Sequence, residues 1–354
     1  MLGEKHSERR KGKRVKTTRN VNVSNSNNDL DVLFELYYSA KLAEGRAKTT
    51  LGKYRLIYKN FCKYLDRRDI VHDYRRIDAE LIRYYVSWLL RDYVKFEDHK
   101  FKPESSKVEG MSPRTVNDYL KSLRTFFRFL VDEEKIASNP FEDVKNVKYT
   151  DSEITILTID ELKALLDSPD KNTFTGFRDY VLMTLLFDTM TRISEAISFK
   201  VSDVDFSNNT VTVRAAIAKN RKSRIIPIQQ QTAKLLNELI LENEDFDNDY
   251  IFLGNYGEQL TSNHFRNQLR RHYVSSAGIK KNVHPHLFRH TAATMFLEAG
   301  GDIRHLQLML GHTDLRMVMR YTHLSNKALK EQHAKYSVLN QITGKLERNR
   351  KTKR

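Results

Sequence analysis

The chain has 354 residues, enough for two domains that each bury a core of their own. A hydrophobic content of 40%, with 18 Phe and 17 Tyr, excludes a mostly disordered chain; 30% charged residues, a mean hydropathy of -0.61 and the lack of any apolar run of spanning length exclude a membrane protein. The excess of 61 Lys and Arg over 45 Asp and Glu leaves a net charge of +16, a field that gathers polyanions such as DNA or RNA, and its spread along the chain disfavours a membrane-surface helix.

Residues 1–28 are basic, then rich in Ser and Asn ("NVSNSNND"), and read as a flexible arm; without an apolar stretch they are not a secretory signal, so a cytoplasmic protein is expected. The single cysteine, Cys62, allows no intrachain disulfide and fits a reducing compartment. Residues 29–146 carry helical periodicity. "TTLGKYRLIYKNFCKYLDRRD" spaces Tyr54, Ile57, Phe61 and Leu65 for one helix face, and "IDAELIRYYVSWLL" predicts another helix. In "SPRTVNDYLKSLRTFFRFLVDEEK", Ser112 is the predicted cap, Pro113 suits the first turn, and Val116, Leu120, Leu123, Phe127 and Leu130 form an apolar stripe. Arg114, Lys121, Arg124 and Arg128 make a basic stripe on its other side, either a track for a phosphate backbone or a solvated face. "SNPFEDVKNVKYTDSE", with its Asn-Pro breaker, reads as the interdomain linker.

A second domain is expected over 153–341. Thr158 and Glu161 form a capping-box pattern, and "FRDYVLMTLLFDTMTRISEAISFK" is a largely buried helical run. "NNTVTVRAA", the loop "AKNRKS" and "RIIPI" then predict a short antiparallel hairpin. Helices follow to about residue 341, and 342–354 is a basic tail. Leu329, Tyr336, Leu339 and Ile342 make an apolar set that packs either on a neighbouring protomer or on its own domain.

Chemistry concentrates in a few positions. "HPHLFRHTAATMFLEAGG" starts a helix at Pro285 and ends it at Gly300 and Gly301; His286 and Arg289 share a face, and a buried guanidinium needs an anionic partner such as a substrate phosphate. His290 reads as a core histidine, and a metal site from His284, His286, His290 and His312 lacks cysteine or acidic ligands nearby. In one unbroken helix, the step from His312 to Tyr321 would separate them by about 13 Å on opposite faces. Gly311 ends the preceding helix, however, and Thr313 or Asp314 can cap a new one, so the chain can turn and bring them together. Leu315, Val318, Met319 and Thr322 share a face of the new helix, with Tyr321 to its side. Arg192 stands three residues before Glu195, where an ion pair is the plain expectation, and Lys219 opens the hairpin loop, where an exposed lysine is ordinary.

Taken in order, Arg192, Lys219, the H-x-x-R of His286 and Arg289, the L-G-H of His312, and Tyr321 resemble the tyrosine recombinase (phage integrase) family, its Xer-like members in particular. "SPRTVNDYLKSLRTFFRFL" is similar to that family's helical core-binding domain. The resemblance implies a mainly α fold with a small antiparallel β-sheet, arranged as a two-domain DNA clamp of a helical core-binding (SAM-like) domain and a catalytic domain. It implies a site-specific recombinase that cleaves and religates double-stranded DNA through a covalent 3′-phosphotyrosyl link, for integration, excision or resolution. Four protomers would act on two sites, with accessory proteins in some cases, in the nucleoid-associated cytoplasm. Tyr321 would be the nucleophile, Arg192, Lys219, His286, Arg289 and His312 its catalytic partners, Glu195 a support, and Arg221 and Lys222 DNA contacts alongside the basic stripe. Three departures stand out: the family's T-G-[LM]-R is here "TMTR", with Met190 at the glycine; its G-K-G-x-K loop is here "AKNRK", which leaves Lys222 the weaker candidate for the catalytic lysine; and "VKFEDHKFKPESSKVEG" and the basic arm are long for a minimal Xer protein.

The residue types suit phosphodiester chemistry. The pentacoordinate transition state gathers negative charge, and two arginine forks with a histidine stabilise it without a metal ion or other cofactor. Forming a phenolate at neutral pH costs about 4 kcal/mol, which nearby positive charge lowers; His286 would accept the proton and Lys219 would protonate the leaving 5′ oxygen. A type IB topoisomerase-like nicking and resealing enzyme and a non-catalytic DNA-binding regulator on the same fold remain alternatives.

Overall fold

The computed structural model describes residues 28–97, 101, 103, 107–150, 155–319 and 321, together with 333, 334, 337 and 339. The chain divides into two compact units, Met1–Ser152 and Glu153–Arg354.

The first unit is helical: α1 (Leu30–Ala43), α2 (Lys48–Arg67), α3 (Ala79–Arg91) and α4 (Pro113–Asp132). Short polar side chains start three of them. Asp29, Asp78 and Ser112 each accept a first-turn backbone N–H, and Pro113 fills the first position of α4, where no donor is needed. The stripe Val116, Leu120, Leu123, Phe127 and Leu130 is buried as its spacing predicts, against Ile57, Phe61 and Leu65 of α2. Aromatic rings fill the space between the helices: Phe34 stacks on Tyr58 with centroids 3.9 Å apart, and Phe126 meets Phe34 edge-on at 5.5 Å. His72 bridges Asp31 and Asp66 at 3.2 and 3.1 Å, pinning the turn after α2 to both helices.

The segment read as a linker is in its first ten residues part of this unit. Phe141 and Val144 are buried in the core, Asn117 and Val147 exchange two hydrogen bonds, and Arg124 donates to the carbonyls of Phe141 and Val144 at 3.2 and 2.9 Å. Two apolar residues spaced by three in a polar run leave no periodic signal, yet they cap the open end of the helical core.

The second unit opens with α5 (Ile159–Asp167), started by the expected capping box of Thr158 and Glu161. The helical run that follows is broken. α6 (Phe174–Thr189) ends at Met190, which adopts the left-handed conformation at φ 55°, and a single turn, α7 (Ile193–Ala196), follows. A three-stranded antiparallel sheet comes next: β1 (Val204–Asp205), β2 (Thr210–Val213) and β3 (Arg224–Pro227), in the order β1-β2-β3. The predicted hairpin is β2 and β3, paired Val213 to Arg224, with β1 as an added edge. The helices α8 (Gln230–Glu242), α9 (Ser262–Gln268), α10 (Val274–Ser276), α11 (Pro285–Glu298), α12 (Ile303–Leu310) and α13 (Arg316–Met319) complete it. A π turn, Leu269–Tyr273, joins α9 to α10.

The main core of this unit packs Leu182, Leu185 and Leu186 of α6 against Val211, Val213 and Ile226 of the sheet and Phe288 of α11. Beside it lies a buried polar cluster: Arg178 pairs with Asp179 at 2.8 Å and donates to the Leu253 carbonyl, and Tyr273, set by the π turn, donates to Asp179 at 2.7 Å. A smaller core joins Met190, Ala293, Leu297, Leu306, Leu310, Val318 and Tyr321. Among the described residues no helix is long and apolar enough to cross a membrane. Leu329, Tyr336 and Ile342 lie outside the described residues, as do the N-terminal arm and the basic tail.

Candidate active site

The site is built where three turns meet: the break after α6, the start of β3, and the junction of α12 with α13. At the first, Arg192 is the residue before α7, and Glu195, fully buried on that turn, accepts from both its backbone N–H at 3.1 Å and its Nη1 at 2.9 Å. The predicted Arg192–Glu195 pair is therefore present, but it is half of a larger group. Arg224, at the start of β3, donates Nη2 at 2.7 Å to the Glu195 oxygen that takes the Arg192 N–H, Nη1 at 3.5 Å to the other oxygen, and Nε to the Met309 carbonyl at 3.0 Å. Burial opposes ionisation of Glu195, but the two guanidinium groups outweigh it and hold its carboxyl below the ordinary range. Sequence reading missed Arg224. Its signal was a long cation at an inward-facing position of a strand, and it was legible only once the register was known.

Arg289, on α11, is buried and crosses between the turns. Nη1 donates to the Met190 carbonyl at 2.7 Å, and Nη2 donates to the Leu310 carbonyl at 2.7 Å and to His312 Nε2 at 2.9 Å. Because a guanidinium only donates, Nε2 accepts and the imidazole is the Nδ1–H tautomer. His312 is thus engaged with Arg289 rather than standing apart as an independent donor. Burial, reinforced by the Arg192 charge, pushes the Arg289 pKa down to about 10, with Glu195 and Tyr321 acting in the opposite direction; it stays charged at neutral pH. Met190 resolves the missing glycine of "TMTR": a non-glycine residue takes the left-handed turn, its side chain is anchored in the small core, and its carbonyl receives Arg289.

The turn before Tyr321 forms as expected. Gly311 ends α12 at φ 62°, and Asp314 accepts from Arg316 N–H to start α13. Tyr321 itself corrects the expectation that it lies off the apolar face. It is only 4% exposed and packs with Val318, Leu306 and Leu310, whereas Met319, assigned to that face, is half exposed. Its hydroxyl meets Nδ1 of His290 at 2.8 Å, so the histidine read as core filling is the tyrosine's partner.

His286 is on the exposed side of α11, one residue inside its start. Burial of part of the ring, then the charges of His284, Arg289, Arg192 and Arg266, hold its pKa below the usual imidazole value. The four histidines have separate settings: His284 faces His286 with ring centroids 6.4 Å apart, while His290 and His312 hold Tyr321 and Arg289. Lys219 is exposed on the loop between β2 and β3, with no ion pair among the described residues. Its neighbour Asn220 donates to the Gly311 carbonyl at 3.1 Å, which docks the loop on the turn of His312. Arg221 and Lys222 are exposed on the same loop. In the first unit, Arg114 and Lys121 are exposed on α4, Arg128 pairs with Glu142 at 2.6 Å, and Arg124 holds the two carbonyls named above.

Gly311 is tied to this geometry. A Cβ there would adopt the left-handed conformation and stand 3.0 Å from the Arg224 guanidinium. Gly311→Ala is expected to lower stability by about 1–2 kcal/mol, from the backbone cost, in denaturant unfolding. The function of the site should suffer by more than this, because the Arg224 guanidinium must shift by a few tenths of an ångström to admit the methyl group.

Comparison with known proteins agrees with the site. Residues 155–328 match the phage integrase family and residues 32–149 its SAM-like domain. The chain is 32% identical to the tyrosine recombinase XerD of Listeria monocytogenes over 237 residues, 65% of this chain and 78% of that protein. It is 33% identical to the tyrosine recombinase XerC of Chlamydia muridarum over 227 residues, 63% of this chain and 70% of that protein. In fold it is similar to the Tn1549 transposon integrase in complex with a circular intermediate DNA (TM-score 0.65, 18% identity, covering 86% of this chain and 99% of that one). The same holds for the XerH recombinase bound to a palindromic difH substrate (TM-score 0.64, 21% identity, covering 85% of this chain and 84% of that one). With its helical SAM-like unit, its mixed catalytic unit and its arginine-histidine turns around a tyrosine, the chain belongs to the tyrosine recombinase (phage integrase) family, the site-specific recombinases that cleave and rejoin DNA.

Proposed function

We propose that Tyr321 is the nucleophile of this recombinase, that Arg192 and Arg289 bind the non-bridging oxygens of the scissile phosphate, and that Lys219 protonates the leaving 5′ oxygen. The observation that carries this reading is the placement of Arg289. One buried guanidinium fixes the turn of Arg192 and the ring of His312, on the same small core as Tyr321. Three of its N–H groups are used among the described residues, which leaves two for a phosphate. The product is a 3′-phosphotyrosyl link that conserves the energy of the broken bond for religation. Its substrate is a specific duplex site, exchanged by four protomers across two sites, in the cytoplasm with the nucleoid.

The contact at Tyr321 favours a second assignment for the phenol proton. His286 was the expected acceptor, but His290 already holds the hydroxyl at 2.8 Å. His290→Gln and His286→Gln separate the two: the acceptor's variant loses the alkaline-independent part of the cleavage rate, the other does not. If His286 is the base, its lowered pKa keeps it neutral to lower pH, so the acid limb of the cleavage rate falls with a midpoint below about 6.5.

The test of the whole reading is an SDS-resistant gel shift, with wild type and Tyr321→Phe incubated with labelled duplex from the regions flanking the gene. An adduct from wild type alone is expected and maps the crossover site. An adduct that persists in Tyr321→Phe assigns the nucleophile elsewhere, and tight binding without adduct on every fragment sets the reading aside.

A further inference from the structure

Arg224 belongs to none of the positions discussed so far as catalytic, yet it touches the supports of two of them. Its Nη2 takes one oxygen of the buried Glu195 at 2.7 Å, and the Arg192 backbone N–H takes the same oxygen at 3.1 Å. Nη1 of Arg224 also reaches the second oxygen, at 3.5 Å, so Arg224 engages both oxygens and the Arg192 side chain touches only that second one, through Nη1 at 2.9 Å. A carboxylate in a buried site draws a guanidinium into a two-pronged pair whenever both oxygens are open to it. Arg224 blocks that arrangement, so Arg192 is held at one corner and keeps most of its donors. Nε of Arg224 also holds the Met309 carbonyl at 3.0 Å, two residues before Gly311, and a Cβ on Gly311 would press on the same guanidinium from 3.0 Å. The side chain is about 10% exposed, and its Nε and Nη2 are already engaged within the protein.

We infer that Arg224 is a positioning residue for strand cleavage: it shares Glu195 so that Arg192 is presented to the phosphate, and it fixes the end of α12 so that the His312 turn is set. The inference rests on the assignment of Arg192 and His312 made above. It concerns a residue of β3, so it links the strand that follows the Lys219 loop to the two other turns of the site.

The experiment measures adduct formation on a nicked duplex carrying the mapped crossover sequence, made with an ordinary scissile phosphodiester or with an uncharged methylphosphonate at that position. Arg224→Gln is expected to slow cleavage of the phosphodiester about 100-fold, with duplex affinity within about twofold of wild type. Adding Glu195→Gln removes the charge that captures Arg192, so the double variant should regain at least about tenfold. On the methylphosphonate, whose transition state carries one negative charge fewer, the defects of Arg224→Gln and Arg192→Ala should both shrink. Thermal melting of each variant separates loss of fold from loss of positioning. An Arg224→Gln protein that cleaves normally, a double variant no better than the single, or an equal defect on both linkages overturns the inference while leaving the site intact. Normal cleavage by Arg192→Ala, or no adduct from wild type, overturns the site assignment and this inference with it.

Discussion

Arg289→Lys is expected to lower the rate of adduct formation by about 10²–10³-fold while binding to duplex DNA changes little. A lysine keeps the charge but offers its three donors from a single atom, and it cannot span the Met190 carbonyl, the Leu310 carbonyl and His312 Nε2, which the guanidinium reaches from two separate nitrogens. The unsatisfied carbonyls turn elsewhere, so Arg192 and His312 lose their common reference. Single-turnover cleavage under saturating protein reads this loss, because the defect lies in the chemical step; a lysine variant within about tenfold of wild type would refute the bridging role.

The largest effect on stability is expected at Arg178. Arg178→Met removes the partner of Asp179, which is itself fully buried, and should cost about 3–5 kcal/mol in unfolding of the second unit. Burial already raises the Asp179 pKa, with Arg178 and then Tyr273 pulling it back. Without the arginine it rises further. A carboxyl whose folded pKa is raised favours the folded state only while protonated, so the deficit of the variant is smallest at acidic pH and grows as pH passes the ordinary carboxylate range. Urea unfolding of wild type and variant at acidic and neutral pH checks this, and Asp179→Asn in the variant background should recover much of the loss at neutral pH. A deficit that is the same at both pH values would mean that lost packing, not stranded charge, is the cause.

Much of this was legible in the chain because it rests on local rules. Ser112 with Pro113, and Thr158 with Glu161, mark helix starts by side chains that satisfy orphan N–H groups, and the stripe from Val116 to Leu130 needs only the helical repeat. The reading failed where partners come from distant segments. The face of α13 alone does not tell how Tyr321 is buried, because most of its surroundings come from α11 and α12, with Val318 the one contribution from α13. His290 and Arg224 have no local signature either, since their contacts with Tyr321 and Glu195 span 31 and 29 residues. Met190 was the hardest to read. Nothing local favours methionine at positive φ, and the compensation is a pocket formed by residues more than a hundred positions away.

That pocket has a consequence for how such a chain can drift. Met190, Leu306, Leu310 and Tyr321 belong to one small oily cluster, and three of them supply the two carbonyls that hold Arg289 and the hydroxyl that meets His290. A substitution that only trades one aliphatic shape for another here moves the reaction's own scaffold, because close-packed interiors transmit displacement rather than absorb it. Neutral change is therefore confined to the larger core around α6 and the sheet, and homologues that differ within the small cluster should differ there in matched sets.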